Sequence, residues 1–323
     1  MTTKHLVDPE LLPFLDMIPP MDFSPGGLAA RRAASVQMFT SLPVPEGLPV
    51  TCEETHVPGP AGAPPVRVLA YRPTEAEGLL PTVLHIHGGG HVLGLPEMMD
   101  IPNRELAATL GCAVYSVDYR LSPETAFPGP LEDCYAVLAW LHANAGPLGL
   151  DPARIGVKGE SAGGTMAAGL TQLARDRGAL PLAFQHLIMP SLDDSTWKHP
   201  DPNPTTGEFI WTREHSRFGW TAYLGGEPGS EDVSPYAVPA RAENLAGLPP
   251  AFISLGALDL FFEEDLEYAR RLSRAGVPVE LHVYPGAFHA FEMVQTAAVT
   301  QRSRRDSKDA LRRAFQARFP GTS

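Results

Sequence analysis

Cysteine is scarce in this sequence: three residues in 323, at Cys52, Cys112 and Cys134. The number is odd, the spacings are wide and no Cys-x-x-Cys pair occurs, which argues against a disulfide framework and a cysteine-based zinc site. Cys112 and Cys134 stand among apolar neighbours, where a thiol behaves as a small buried hydrophobe. Positive charge is also in deficit, with 25 lysines and arginines against 37 aspartates and glutamates and a net charge of -12. A surface of that sign repels phosphate backbones and anionic lipid, so neither nucleic acid nor an anionic membrane is an expected partner. Arg302, Arg304, Arg305, Arg312 and Arg313 are concentrated near the end. With Leu311, Ala314 and Phe315 as an apolar stripe, they read as the solvated face of a helix. An apolar run of membrane-spanning length is missing as well. Met1 to Glu10 lack the basic stretch and apolar core of a secretory leader, so the expected location is cytoplasmic.

What is present is a globular composition, 44% hydrophobic and 19% charged, punctuated by 34 prolines and 30 glycines. From about residue 51 the chain alternates between short apolar runs bounded by Gly or Pro and longer stretches at helical spacing. The expected strands are Val66–Tyr71, Thr82–His87, Cys112–Tyr119, Arg154–Lys158, Phe184–Met189, Pro250–Gly256 and Val279–Tyr284. Helices are expected over Leu28–Met38, Leu131–Ala143, Ala162–Arg175 and Phe262–Ala275, the last ended by Gly276. Such alternation makes an α/β protein with a mostly parallel sheet and helices on both faces. The proline-rich segment 191–239 breaks the rhythm, and its aromatic patch Phe209–Leu224 reads as a helix. The expected organisation is an N-terminal cap segment (1–50), a first part of the core (51–190), a cap insertion (191–239) and a second part of the core (240–323).

Chemistry concentrates at Gly159-Glu160-Ser161-Ala162-Gly163-Gly164, between the strand Arg154–Lys158 and a helix. That context identifies a nucleophile elbow, a turn so tight that the flanking positions must lack Cβ atoms while the serine hydroxyl is pushed out of the sheet. No Lys-Ser/Thr follows, so a P-loop is excluded. A second glycine run, His87-Gly88-Gly89-Gly90, closes the strand Thr82–His87. Consecutive glycines let backbone amides approach an oxyanion, and Gly88, Gly89 and Ala162 are the expected donors. His87 is expected to organise this loop.

A serine hydroxyl needs a base. Of the 11 histidines, His289 is best placed, in the loop after the strand Val279–Tyr284. His85 lies within a strand, and His282 alternates away from Val279, Leu281 and Val283. The base in turn needs a carboxylate to fix its tautomer. Asp259 follows the strand Pro250–Gly256 and completes the chain order Ser161, Asp259, His289. Asp193 and Asp194 are rivals nearer the insertion. His91, Glu160, Asp193, Phe209, Trp211 and Phe288 are the expected substrate-contacting residues. No metal site is expected.

Taken in order, His87-Gly88-Gly89-Gly90, Asp118-Tyr119-Arg120-Leu121-Ser122-Pro123-Glu124, the Glu-containing elbow, Asp259 and the Gly286–Phe291 loop resemble the bacterial hormone-sensitive-lipase-like esterases. The resemblance implies the α/β-hydrolase fold with eight strands and a cap built from the N-terminus and the insertion. It further implies cofactor-free hydrolysis of short-acyl esters by a serine carboxylesterase, and homodimers formed through the last strand and helix. Two positions depart from the family pattern. Leu260 stands where proline often follows the aspartate, and His91 where an aromatic often follows the glycines. An amidase or deacetylase would use the same residues. The other alternative is a non-catalytic small-molecule receptor: the plant gibberellin receptors resemble this family but lack the catalytic histidine, and the presence of His289 here favours an enzyme.

Overall fold

The computed structural model describes residues 2–18, 21–44, 47–178 and 180–317. The remaining positions of the segments 1–50, 51–190 and 240–323 lie outside the described residues. Eight strands form one sheet: β1 (Val50–Val57), β2 (Val66–Pro73), β3 (Leu80–Ile86), β4 (Ala113–Asp118), β5 (Leu150–Glu160), β6 (Gln185–Ile188), β7 (Ala251–Gly256) and β8 (Val279–Tyr284). Their spatial order is β1-β2-β4-β3-β5-β6-β7-β8. The β1–β2 and β2–β4 pairs are antiparallel, and every later pair is parallel. All seven expected strands are present. The additional strand β1 (Val50–Val57) alternates little, being exposed or half-buried except at its two ends. Half-solvated antiparallel strands at an edge leave a weak apolar signal.

Strand alternation divides the core in two. Leu69, Tyr71, Val83 and Val114 point to one face and pack with Leu106, Leu311 and Phe315. That face is covered by α3 (Asp100–Leu110) and α8 (Ala298–Gln316). Val68, Ala70, Leu84, Ile86 and Val117 point the other way, onto Leu131, Leu138, Met166 and Leu170. These belong to α4 (Gly129–Ala143) and α5 (Ala162–Arg177). Helix α7 (Phe262–Arg274) adds Tyr268, Ala269 and Leu272 to this larger core. Helix α3 (Asp100–Leu110) has no counterpart among the expected helices. It buries only Asn103, Leu106 and Ala107, too few for a clear period, and Pro102 near its start reads as a breaker although the first turn tolerates it. On α8 the arginines are mostly paired: Arg304 and Lys308 approach Glu105 at 3.9 and 3.6 Å, and Arg313 meets Glu280 at 2.5 Å.

The early chain and the insertion meet at one end of this sheet. The early chain forms α1 (Leu12–Leu15) and α2 (Pro25–Thr40), and the insertion forms α6 (Arg213–Leu224). Phe23 stacks on Phe218 with centroids 4.7 Å apart and meets Trp211 edge-on at 6.0 Å. Thr3 donates its N–H to Glu208 at 2.6 Å. Arg32 of α2 ties this layer to the sheet, donating to the carbonyls of Val92 (2.7 Å) and Ser122 (2.6 Å) and to Glu124 (2.8 Å). Among the described residues, no helix is long and apolar enough to cross a membrane.

Candidate active site

Strand β5 ends at Glu160 and α5 starts at Ala162, leaving Ser161 alone to turn the chain. Its backbone sits at φ 53°, ψ -119°, a conformation that L residues occupy only when the surroundings impose it. The surroundings are visible. Ser161 N–H donates to Ile188 O at 2.9 Å, and Ser161 O accepts from Thr165 N–H (3.0 Å) and Ser191 N–H (3.2 Å). The flanking glycines are sterically required: a Cβ on Gly159 would lie 2.2 Å from Gly163 O, and one on Gly163 would lie 2.0 Å from Ile86 O.

Ser161 Oγ lies 3.0 Å from His289 Nε2. His289 Nδ1 lies 2.8 Å from Asp259 Oδ2, and the other carboxylate oxygen accepts the Phe261 N–H at 3.0 Å. The loops bearing Asp259 and His289 are stitched together: Leu258 N–H donates to Ala287 O at 2.9 Å, and a Cβ on Gly256 would lie 2.2 Å from that oxygen. Phe261 stands edge-on to the imidazole at 5.1 Å, and Ala290 N–H donates to Met189 Sδ at 3.0 Å. Where the family pattern has proline, Leu260 is buried with Phe261 and Trp211. Packing and the Asp259–Phe261 hydrogen bond thus hold the turn that proline would stiffen. An imidazole wedged between a hydroxyl and a buried carboxylate can accept the hydroxyl proton and spread the resulting charge.

The loop after β3 (Leu80–Ile86) runs beside the serine, since a Cβ on Gly88 would come within 3.4 Å of Ser161 Cβ. Among the described residues, no hydrogen bond takes the N–H of Gly88, Gly89 or Ala162, and the amide of Ala162 is the open first turn of α5. Gly89 sits at φ 129°, with Leu93 O only 2.1 Å from where a Cβ would stand. His87 braces this loop. Its Nδ1–H donates to Gly88 O at 2.8 Å, its ring stacks on Tyr119, and its carbonyl accepts the Tyr119 hydroxyl at 2.8 Å.

A cavity of about 10 Å³ touches Ser161, with Gly90, His91, Trp211, Ser216, Trp220 and Phe261 in its wall. His91 and Trp211, both expected contacts, therefore line it. Four other expected contacts do not. Glu160, the last residue of β5, turns away from the cavity and binds Lys158 and His85. Burial pushes its carboxyl up, but the charge of Lys158 and the His85 contact more than offset this and hold it low. Asp193 turns back on its own chain, accepting the Ser195 N–H (2.8 Å) and hydroxyl (2.7 Å), and borders a separate cavity beside Glu263 and Glu264. Phe209 packs against Phe288 at 6.0 Å, and Phe288 is wholly within the main core. Ser216, Trp220 and Phe261 went unassigned in the sequence because nothing local distinguishes a wall residue from the rest of an amphipathic turn. Asp194, the second rival acid, is committed to Arg241 at 2.6 Å.

Burial depresses the pKa of His87 to about 4 and that of His91 to about 3, against 6.5 for an exposed histidine. The unfolded chain therefore binds protons below pH 6.5 that the folded chain refuses, and each histidine removes stability as pH falls from 6.5 towards its folded value. At about 1.4 kcal/mol per unit over the 2.5 units from 6.5 down to pH 4, His91 alone removes on the order of 3 kcal/mol by pH 4. His91→Phe keeps the stacking on Tyr223 and deletes the titration. Urea unfolding is expected to show the variant gaining on the parent by that amount between pH 7 and pH 4; a constant difference would mean that His91 protonates freely in the fold.

Residues 83–293 match the α/β-hydrolase fold family. The chain is 34% identical to esterase LipI of Mycobacterium tuberculosis over 294 residues, covering 89% of this chain and 88% of the relative. It is 35% identical to carboxylesterase NlhH of the same species over 315 residues, covering 96% of this chain and 97% of the relative. Among solved structures, a bacterial heroin esterase superposes with a TM-score of 0.91 at 42% identity, covering 98% of this chain and all (100%) of that one. Esterase LipW of Mycobacterium marinum superposes with a TM-score of 0.83 at 36% identity, covering 97% and 98%.

Proposed function

Because the chain belongs to the hormone-sensitive-lipase-like branch of the α/β-hydrolase fold family and is a carboxylic-ester hydrolase, we propose that it cleaves short-acyl esters through an acyl-enzyme on Ser161. The observation that carries this reading is the run of contacts from Ser161 Oγ to His289 Nε2 (3.0 Å) and from His289 Nδ1 to Asp259 (2.8 Å). Ser161 Oγ attacks the ester carbonyl as its proton passes to His289 Nε2. The N–H groups of Gly88, Gly89 and Ala162 receive the carbonyl oxygen as it gains charge. When the intermediate collapses, the C–O bond to the alcohol breaks and the alcohol leaves with the proton from His289. Water then repeats the sequence on the acyl-enzyme, releasing the acid and restoring the serine. In this reading the described residues of the segments 1–50 and 191–239 form the cap of this site, and Trp211 and Trp220 close it.

The crowding of Trp211, Trp220 and Phe261 around the cavity beside Ser161 supports short acyl groups. A series of p-nitrophenyl esters tests this. The expected kcat/KM is highest between acetate and butyrate and falls at least about ten-fold by octanoate, since each methylene forced into a full pocket costs on the order of 1 kcal/mol. A rate that climbs steadily to long chains would sink the short-acyl assignment.

A further inference from the structure

The wall of the cavity beside Ser161 holds more hydrogen-bonding capacity than the protein itself uses. His91, Ser216 and Trp220 line it and are 3%, 2% and 2% exposed. Among the described residues, neither ring nitrogen of His91, nor Ser216 Oγ, nor Trp220 Nε1 has a hydrogen-bond partner. Leaving such groups unpaired out of water is unfavourable, and a fold that served only hydrocarbon would place Ala or Phe there. The arrangement is also held in place. Ser216 and Trp220 stand one turn apart on α6, so they share a face. The ring of His91 is clamped flat on Tyr223, 4.0 Å away, and its backbone sits in the left-handed region at φ 65°. Gly219, between the two helix residues, allows the close approach: a Cβ there would lie 2.7 Å from Gly90 O. Because burial keeps His91 neutral, it offers one donor and one acceptor. Trp220 adds a donor, and Ser216 both kinds.

We propose that this pocket is a polar specificity subsite, in which His91, Ser216 and Trp220 bind a small hydroxyl or oxo substituent next to the scissile ester, so that the preferred substrates are hydroxylated or oxo-substituted short esters and not plain alkyl ones. The proposal rests on Ser161 being the nucleophile, because the substituent is read only when the ester lies against that residue. Discrimination of this kind exceeds what apolar contact achieves: a pocket with buried polar groups penalises an isosteric hydrocarbon by leaving those groups unpaired.

Two isosteric pairs, followed by titration of released acid, test it: methyl glycolate against methyl propionate for the acyl side, and 2-hydroxyethyl acetate against propyl acetate for the alcohol side. Each rate is divided by that of alkaline hydrolysis of the same ester, which removes intrinsic reactivity. The expected result is a preference in kcat/KM of at least about ten-fold for the hydroxylated member of one pair, and the pair showing it identifies which half of the ester the subsite holds. Ser216→Ala and Trp220→Phe, both close in shape, are each expected to cut that ratio several-fold, mainly through KM for the hydroxylated ester. Turnover of p-nitrophenyl acetate with ratios near one in both pairs overturns the subsite and leaves the hydrolase standing. A preference that survives both substitutions unchanged also overturns it. Failure to turn over any ester overturns the nucleophile assignment as well.

Discussion

Ser161→Ala is expected to lower kcat/KM for p-nitrophenyl butyrate by about 10⁴- to 10⁶-fold, the loss typical when a serine nucleophile working with a base is deleted. The substitution removes one oxygen, which in the resting protein contacts His289 Nε2 at 3.0 Å. Nothing structural leaves with it. The strained turn at φ 53° is held by backbone hydrogen bonds to Ile188, Thr165 and Ser191, none of which uses the side chain. The variant is therefore expected to melt within a few degrees of the parent, which separates loss of chemistry from loss of fold. The residual rate comes from the amides of Gly88, Gly89 and Ala162, still able to polarise a bound carbonyl. Rapid mixing gives a second readout: the parent releases about one equivalent of p-nitrophenol in a burst if deacylation is the slower step, and the variant releases none. A folded Ser161→Ala protein that keeps near-normal turnover would falsify the acyl-enzyme mechanism.

The sequence made the sheet and the candidate catalytic residues legible for the same reason. Strands buried on both faces, such as β3 (Leu80–Ile86), are buried at every position and mostly apolar, and the residues that follow them are released from the sheet. Glycine, serine, aspartate or histidine just past such a run stands out: Gly88, Ser161, Asp259 and His289 all do. The elements that stayed hidden are those whose apolar signal is diluted. Strand β1 (Val50–Val57) is largely exposed, and α3 (Asp100–Leu110) carries a proline in its first turn.

The substrate contacts were harder to read because they depend on direction, and one residue's shift along a strand reverses direction. Glu160 is adjacent to Ser161 in sequence, yet its carboxylate turns away from the cavity to Lys158 and His85. Phe288 is adjacent to His289, yet it faces the core while His289 faces the serine. Conversely, Ser216 and Trp220 line the cavity from α6, a helix whose Phe218 stacks on Phe23 of the early chain. Contacts made between segments nearly 200 residues apart leave no local pattern. The departure at His91 was visible as a departure, but its neutral, stacked state follows from burial against Tyr223, which only the fold supplies.

Asp259→Asn is the most demanding test of the arrangement, because it changes almost no volume and is expected to lower kcat/KM by about 10³- to 10⁴-fold. Asp259 is wholly buried, so no solvent can correct a misplaced hydrogen bond. Its two oxygens have two distinct duties: Oδ2 accepts from His289 Nδ1 at 2.8 Å and Oδ1 accepts the Phe261 N–H at 3.0 Å. Asparagine has one oxygen to offer. If that oxygen stays with Phe261, the amide NH₂ faces His289 Nδ1, which must then be the acceptor. The imidazole proton is driven to Nε2, the atom that has to take the proton of Ser161, and the base is disabled. If the amide flips, its NH₂ opposes the Phe261 N–H, donor against donor in a dry site, and the turn carrying Leu260 and Phe261 is strained instead. The two cases are distinguishable: the first leaves the melting temperature near that of the parent with activity lost, and the second lowers both. Asp259→Glu keeps the charge but lengthens the arm against the packed Phe261 and Leu260 cluster, so it is expected to recover only part of the rate. Activity within about ten-fold of the parent for folded Asp259→Asn would mean that the tautomer of His289 is set by another group, since the loss expected from a reversed tautomer is far larger.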